Sequence, residues 1–160
     1  MSNRISLCAL LCMVVGALTA AATRAPAAPS EGGLYIAGAG FTFQQAVQQA
    51  LAKNPAGQRF FVLAIPPETR ALMTTATGQL AVARDRVVAA GGVLYVCQRD
   101  IDNGKIAAAN LASGVIPVRG WPRVRTDALP LGARYFKDEN PSNLPASNNA
   151  LRQLRSTCAA

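Results

Sequence analysis

Apolar positions along this chain fall into short unbroken runs, separated by stretches in which they recur with helical spacing. LYIAGAG (34–40), QRFFVLAI (58–65), VLYVC (93–97) and VIPV (115–118) are the runs. Each is only a few residues long, rich in β-branched and aromatic side chains, and bounded by glycine, proline or a polar residue, which predicts strands buried on both faces. Between the first two lies TFQQAVQQALAKN (42–54), where Phe43, Val47, Ala50 and Leu51 share one helical face and Thr42 with Gln45 forms a capping-box pair. TGQLAVARDRVVAAGG (77–92) predicts a second helix, with Leu80, Ala83 and Val87 on one stripe and Gly91-Gly92 as its stop. DNGKIAAANLASG (102–114) predicts a short helix closed by Gly114, with Asp100 or Asp102 as its N-cap.

Buried strands alternating with amphipathic helices predict a three-layer α/β domain. Its sheet should be mostly parallel, with four to five strands and helices on both faces. The texture changes after Arg119: proline, asparagine and serine dominate, and Ser147 caps one last predicted helix at 148–155. The expected organisation is a linker at 28–33, an α/β domain at 34–119 and an irregular C-terminal extension at 120–160 carrying that helix.

What precedes the linker has the layout of a secretory signal. Arg4 supplies the positive end, residues 7–18 are apolar apart from Gly16, and small-residue A-x-A sites follow at Ala20-Ala21-Ala22 and Ala25-Pro26-Ala27. The apolar stretch falls short of the roughly 20 residues a bilayer span needs. The expectation is therefore cleavage after Ala27, no membrane span afterwards, and a periplasmic or secreted protein. Cys8 and Cys12 would leave with the signal, and the sequence around them does not make a lipidation site.

Composition then narrows the chemistry. Hydrophobic residues are 51% of the 160 and charged residues 15%, enough for a packed core. Signal removal takes Arg4 and Arg24, leaving 14 basic against 8 acidic residues. The chain has no histidine, which excludes Ser-His-Asp and Cys-His catalysis and the histidine-containing zinc sites. Only Cys97 and Cys158 remain after cleavage, an even pair in an oxidising compartment.

Three stretches have a partial look of chemistry. GAGFTF opens like a dinucleotide-binding turn, but Phe43 stands where the third glycine belongs, so Gly38 and Gly40 predict a tight strand-to-helix turn. An anion could still sit at Gly38, Gly40 and Thr42, with Arg99 as a candidate counter-charge. DIDNG (100–104) is one ligand short of a calcium loop and lacks its closing acid, so no metal is expected. RGWPRVR places Arg119, Arg123 and Arg125 around Trp121, a pattern that suits acidic partners, but an exported protein rarely meets nucleic acid, which is not an expected partner.

Cys97 is the remaining candidate. At a strand end before a predicted helix start, with Arg99 nearby, its thiolate would be stabilised and it would suit a nucleophile. A disulfide to Cys158 is the second reading, one that would stabilise the fold by about 4 kcal/mol on the chain-entropy estimate. An inert core cysteine is the third.

VVAAGGVLYVCQRDIDNGKIAAANLASGVIPVRG (87–120) resembles the DsrE/DsrF-like family of sulfur-relay proteins: a helix ending in glycine, an apolar strand presenting a cysteine, a short helix, and a strand opening with Gly-Val. The resemblance implies a compact three-layer α/β fold, oligomers of like or unlike subunits, no cofactor, and Cys97 as the sulfur-accepting residue. Here that frame is joined to an export signal and to Cys158. The combined expectation is an exported DsrE-like protein, stapled by Cys97–Cys158, that binds other envelope proteins within an assembly such as a conjugation or secretion apparatus. The alternative is a periplasmic sulfur-transfer or thiol–disulfide exchange protein that uses Cys97, with Cys158 as resolving thiol.

Overall fold

In a computed structural model the described residues are 30–121 and 136–159. The predicted signal, the first two linker residues (28–29), and Arg123 and Arg125 lie outside them. Four strands form one sheet: β1 (Leu34–Ala37), β2 (Phe61–Ala64), β3 (Val93–Cys97) and β4 (Val115–Val118). All neighbouring pairs are parallel and the strands lie in consecutive order. The expected α/β class, strand number and parallel sense are all present.

Helices α1 (Phe43–Lys53) and α2 (Gly78–Ala89) connect the first three strands. A sheet that grows in one direction through crossovers of one hand collects its connecting helices on one face. The first core is built accordingly: Phe43, Val47 and Ala50 of α1 and Ala83 and Val87 of α2 pack on Ala37, Val62, Ala64, Leu94 and Val96. The alternate strand residues, Phe61, Leu63, Tyr95, Cys97 and Val118, point to the opposite face, as the strand period of two requires. That face is covered by α4 (Asn148–Thr157), through Leu151, Leu154 and Cys158, together with Leu144. The C-terminal segment is thus the third layer of the fold.

The predicted caps at Thr42 and Ser147 form. Gln45 N–H donates to Thr42 Oγ1 at 3.2 Å while Thr42 N–H donates to Gln45 Oε1 at 2.9 Å. Ser147 Oγ accepts from Ala150 N–H, and α4 runs two residues beyond the expected end.

The predicted helix at 102–114 is corrected. The helix in this region is α3 (Gln98–Asp102), which begins directly at the end of β3 with Cys97 in the cap position and no side-chain cap bond. After it come a turn at Gly104, whose φ of 69° breaks a right-handed helix, and one 3-10 turn at Ala108–Asn110. Of residues 103–114 only Ile106 is buried, so the segment has no apolar stripe to hold a helix on the sheet. It is tied down by backbone instead: Thr74 N–H donates to Asn110 O and Ala112 N–H to Leu72 O, both at 2.8 Å. The N-cap role expected of Asp100 or Asp102 falls with that helix: Asp100 lies inside α3 and is buried, and Asp102 is its last residue, accepting from Gln98 Nε2.

Candidate functional site

Cys97 ends β3 on the face that α4 covers, and Cys158 follows the last turn of α4 on the stripe of Leu151 and Leu154. Strand parity and helical spacing bring the two sulfurs together. They form a disulfide, with Cα atoms 5.1 Å apart and a sequence separation of 61. Cys97 is 0% and Cys158 1% exposed. The bond lies between the sheet and the third layer, where the two cysteines offer almost no surface to an attacking thiolate.

The surroundings close the same corner. A Cβ on Gly120 would stand 2.0 Å from the Cys158 carbonyl carbon and oxygen, so only glycine lets β4's continuation pass this close to the end of α4. Arg99, expected to favour a Cys97 thiolate, donates instead to the carbonyl of Ala159 just beyond α4. Its Nε also lies 3.8 Å from Asp100 Oδ1, and Lys105 Nζ stands 3.6 Å from the same oxygen. Asp100 is 1% exposed, and its second oxygen has no hydrogen-bond partner.

Around this corner lies a charged and aromatic clasp that sequence reasoning missed. Arg155 of α4 is fully buried. Its Nη1 donates to Glu139 Oε1 at 2.8 Å and to the Arg119 carbonyl at 2.6 Å, and its Nη2 donates to Glu139 Oε2. The guanidinium also faces the rings of Phe136, at 4.9 Å, and Trp121, at 5.9 Å. Arg119 makes a fork of its own with Asp138, at 2.7 and 2.6 Å, and that pairing holds the Asp138 carboxyl below its ordinary range. Tyr95 of β3 donates from its hydroxyl to the carbonyl of Asn143, and burial pushes the phenol well above its ordinary pKa, against the opposing pull of Arg59. Residues 136–144 are thereby fixed to β3, β4 and α4 at once. A signal for Arg155 exists in the sequence, since it stands four residues after Leu151 on the apolar stripe of α4. Its partner Glu139 has none.

A cleft of about 200 Å³ lies beside this corner, bordered by Arg99, Arg119, Trp121, Phe136 and Cys158. Its two arginines are already engaged, with Ala159 and with Asp138.

The other candidate residues lie elsewhere. Gly38 makes the turn after β1: its φ is +109°, and a Cβ there would meet the Ile65 carbonyl oxygen at 2.6 Å. Gly40, also at positive φ, and Thr42 complete the turn into α1. A carboxylate already stands at this helix start, because Phe43 N–H donates to Oε2 of the buried Glu68 at 2.8 Å. Arg99 is not brought to this turn; its contacts are at the far end of α4 and on Asp100. Because the strands run in consecutive order, no two adjacent strands send their connections in opposite directions, and the ligand crevice of doubly wound sheets does not arise.

Among the described residues, no cluster of three or more acidic, cysteine or histidine side chains could hold a metal, and no helix is long and apolar enough to cross a membrane. Comparison with protein-family models, curated proteins and solved structures finds no match to this chain.

Proposed function

We propose that this chain is an exported, disulfide-stapled binding module that acts as an accessory part of a cell-envelope assembly, with its surface as its working part. One observation carries the reading: both sulfurs of Cys97–Cys158 are buried between the sheet and α4. A bond placed there suits a staple and ill suits a group that must meet partner thiols. An intact disulfide also fits the oxidising compartment that the N-terminal pattern implies. The DsrE-like frame of residues 87–120 is compatible with the layout, a strand presenting Cys97 ahead of a short helix. The sulfur-transfer alternative requires Cys97 free or cycling.

The test is made on protein recovered from producing cells that are lysed into an alkylating reagent. The expected result is an envelope or secreted fraction, an N-terminus just after Ala27, and a mass showing no label on either cysteine until denaturant and strong reductant are both supplied. Crosslinking in those cells should join the chain to envelope proteins. A labelled Cys97, or a mass carrying one added sulfur on it, would overturn the binding-module reading in favour of sulfur transfer.

A further inference from the structure

The two edges of the sheet differ in a way that concerns a second copy of the chain. At the β4 edge, Pro117 removes one backbone N–H, and Glu139, Asn140 and Asn143 border a cleft with Ile116 and Pro117. Proline is one way in which edges are kept from pairing. Among the described residues, the β1 edge has no such device. Its residues are Leu34, Tyr35, Ile36 and Ala37, with no charge, no proline and no bulge, and the first three are part-exposed.

Backbone parity gives the direction of its free groups. Gly33 O accepts from Phe61 N–H, and Ala37 O accepts from Ile65 N–H. The odd-numbered residues therefore face β2, and Leu34 and Ile36 turn their N–H and C=O groups outward. A strand with two outward residues spaced by one is self-complementary about a two-fold axis through the residue between them.

We infer that β1 pairs antiparallel with β1 of a second copy, joining two four-stranded sheets into one through a two-fold axis at Tyr35. In that register Leu34 and Ile36 form hydrogen-bonded pairs with Ile36 and Leu34 of the second copy. Tyr35 faces Tyr35 in the intervening non-hydrogen-bonded position, where side chains approach most closely. Leu–Ile pairs lie on the α4 side, where Leu34 and Ile36 already border the second core. The Tyr–Tyr pair lies on the α1 side, where Asn54 Nδ2 donates to the Tyr35 hydroxyl at 3.0 Å and holds the ring along the seam. Beyond these, Gly33 meets Ala37 and the ladder ends, because Gly32 N–H is donated to Arg59 O and Gly38 turns away at positive φ with its N–H donated to Phe41 O. A two-fold, isologous contact of this kind closes on itself and leaves only the blunted β4 edges exposed. The inference is independent of export and of the disulfide's role, and either can fail without the other.

The test uses the whole protein as recovered from the producing cell, and measures its mass by sedimentation. The wild-type protein is expected at twice the chain mass, and Ile36→Pro at one chain mass, because proline at 36 removes an outward N–H and leaves the bonds to β2 in place. Tyr35→Cys should give a covalent dimer under mild oxidation, since the paired Cβ atoms would stand roughly 5 Å apart. Ile116→Cys, on the other edge, should give none. The crosslink decides the matter even if Ile36→Pro fails to fold. A wild-type protein of one chain mass up to its solubility limit would overturn the inference. So would a folded Ile36→Pro dimer, or crosslinking at 116 and not at 35.

Discussion

Arg155 has no exposed surface, although it sits on the short C-terminal helix of a basic chain. A buried charge survives only when paired and hydrogen-bonded, and the Glu139 carboxylate, the Arg119 carbonyl and two aromatic rings provide that here. Removing the carboxylate takes away the bidentate pairing that Glu139 gives the buried guanidinium. Glu139→Ala is therefore expected to lower stability by about 3 kcal/mol, read as a reduced urea midpoint with an unchanged slope. A loss below half that would mean that the pair contributes little to folding. Tyr95 makes a second prediction. Its pKa is raised above the unfolded value of 10.0 by burial, so its neutral form stabilises the fold fully below pH 10 and this contribution is lost as pH rises above it. Urea midpoints should fall progressively as pH rises above about 10. Tyr95→Phe should flatten that fall, at a cost near 1 kcal/mol at neutral pH for the lost bond to Asn143. An unchanged alkaline profile in Tyr95→Phe would contradict the assignment.

At the scale of elements, what was legible in the sequence is what local rules decide. The four apolar runs became four strands, and Thr42 with Gln45 and Ser147 made their caps, because these depend on residues a few positions apart. The helix expected at 102–114 failed for a related reason: its alanines satisfy helix propensity, yet only Ile106 is buried, with Leu111 part-buried against the same core, and packing decides where propensity is weak. The Pro/Asn/Ser texture after residue 119 reads as an extension, whereas Leu151, Leu154 and Cys158 close the second core. The even cysteine count left the disulfide among three readings for Cys97, and strand parity facing the α4 stripe brings it about. Glu139 meeting Arg155 and Glu68 meeting the start of α1 follow no sequence period, and only the fold brings them together. The staple ties the C-terminal end of α4 to β3, beside the contacts that Arg155 makes. Replacing both cysteines by alanine is expected to cost about 4 kcal/mol, measured by urea unfolding against the wild-type protein. A loss under 1 kcal/mol would show that the clasp at Arg155 holds α4 without it.

For the whole molecule, three layers and a consecutive parallel sheet put the conserving work of the fold at one corner, where β3, β4 and α4 end together. The disulfide, the Gly120 approach and the Arg155 clasp all converge there. Arg99 and Arg119, the charges that suggested chemistry in the sequence, are engaged in holding that corner shut. The central claim is that Cys97–Cys158 is a staple out of reach of exchange. It is tested most directly by the rate at which a small dithiol reduces the native protein as denaturant is added. If the bond is shielded as described, reduction without denaturant is slow, and its rate climbs with denaturant along the slope of the global unfolding transition. Fast reduction, independent of denaturant, would place the sulfurs within reach of partner thiols and contradict the account.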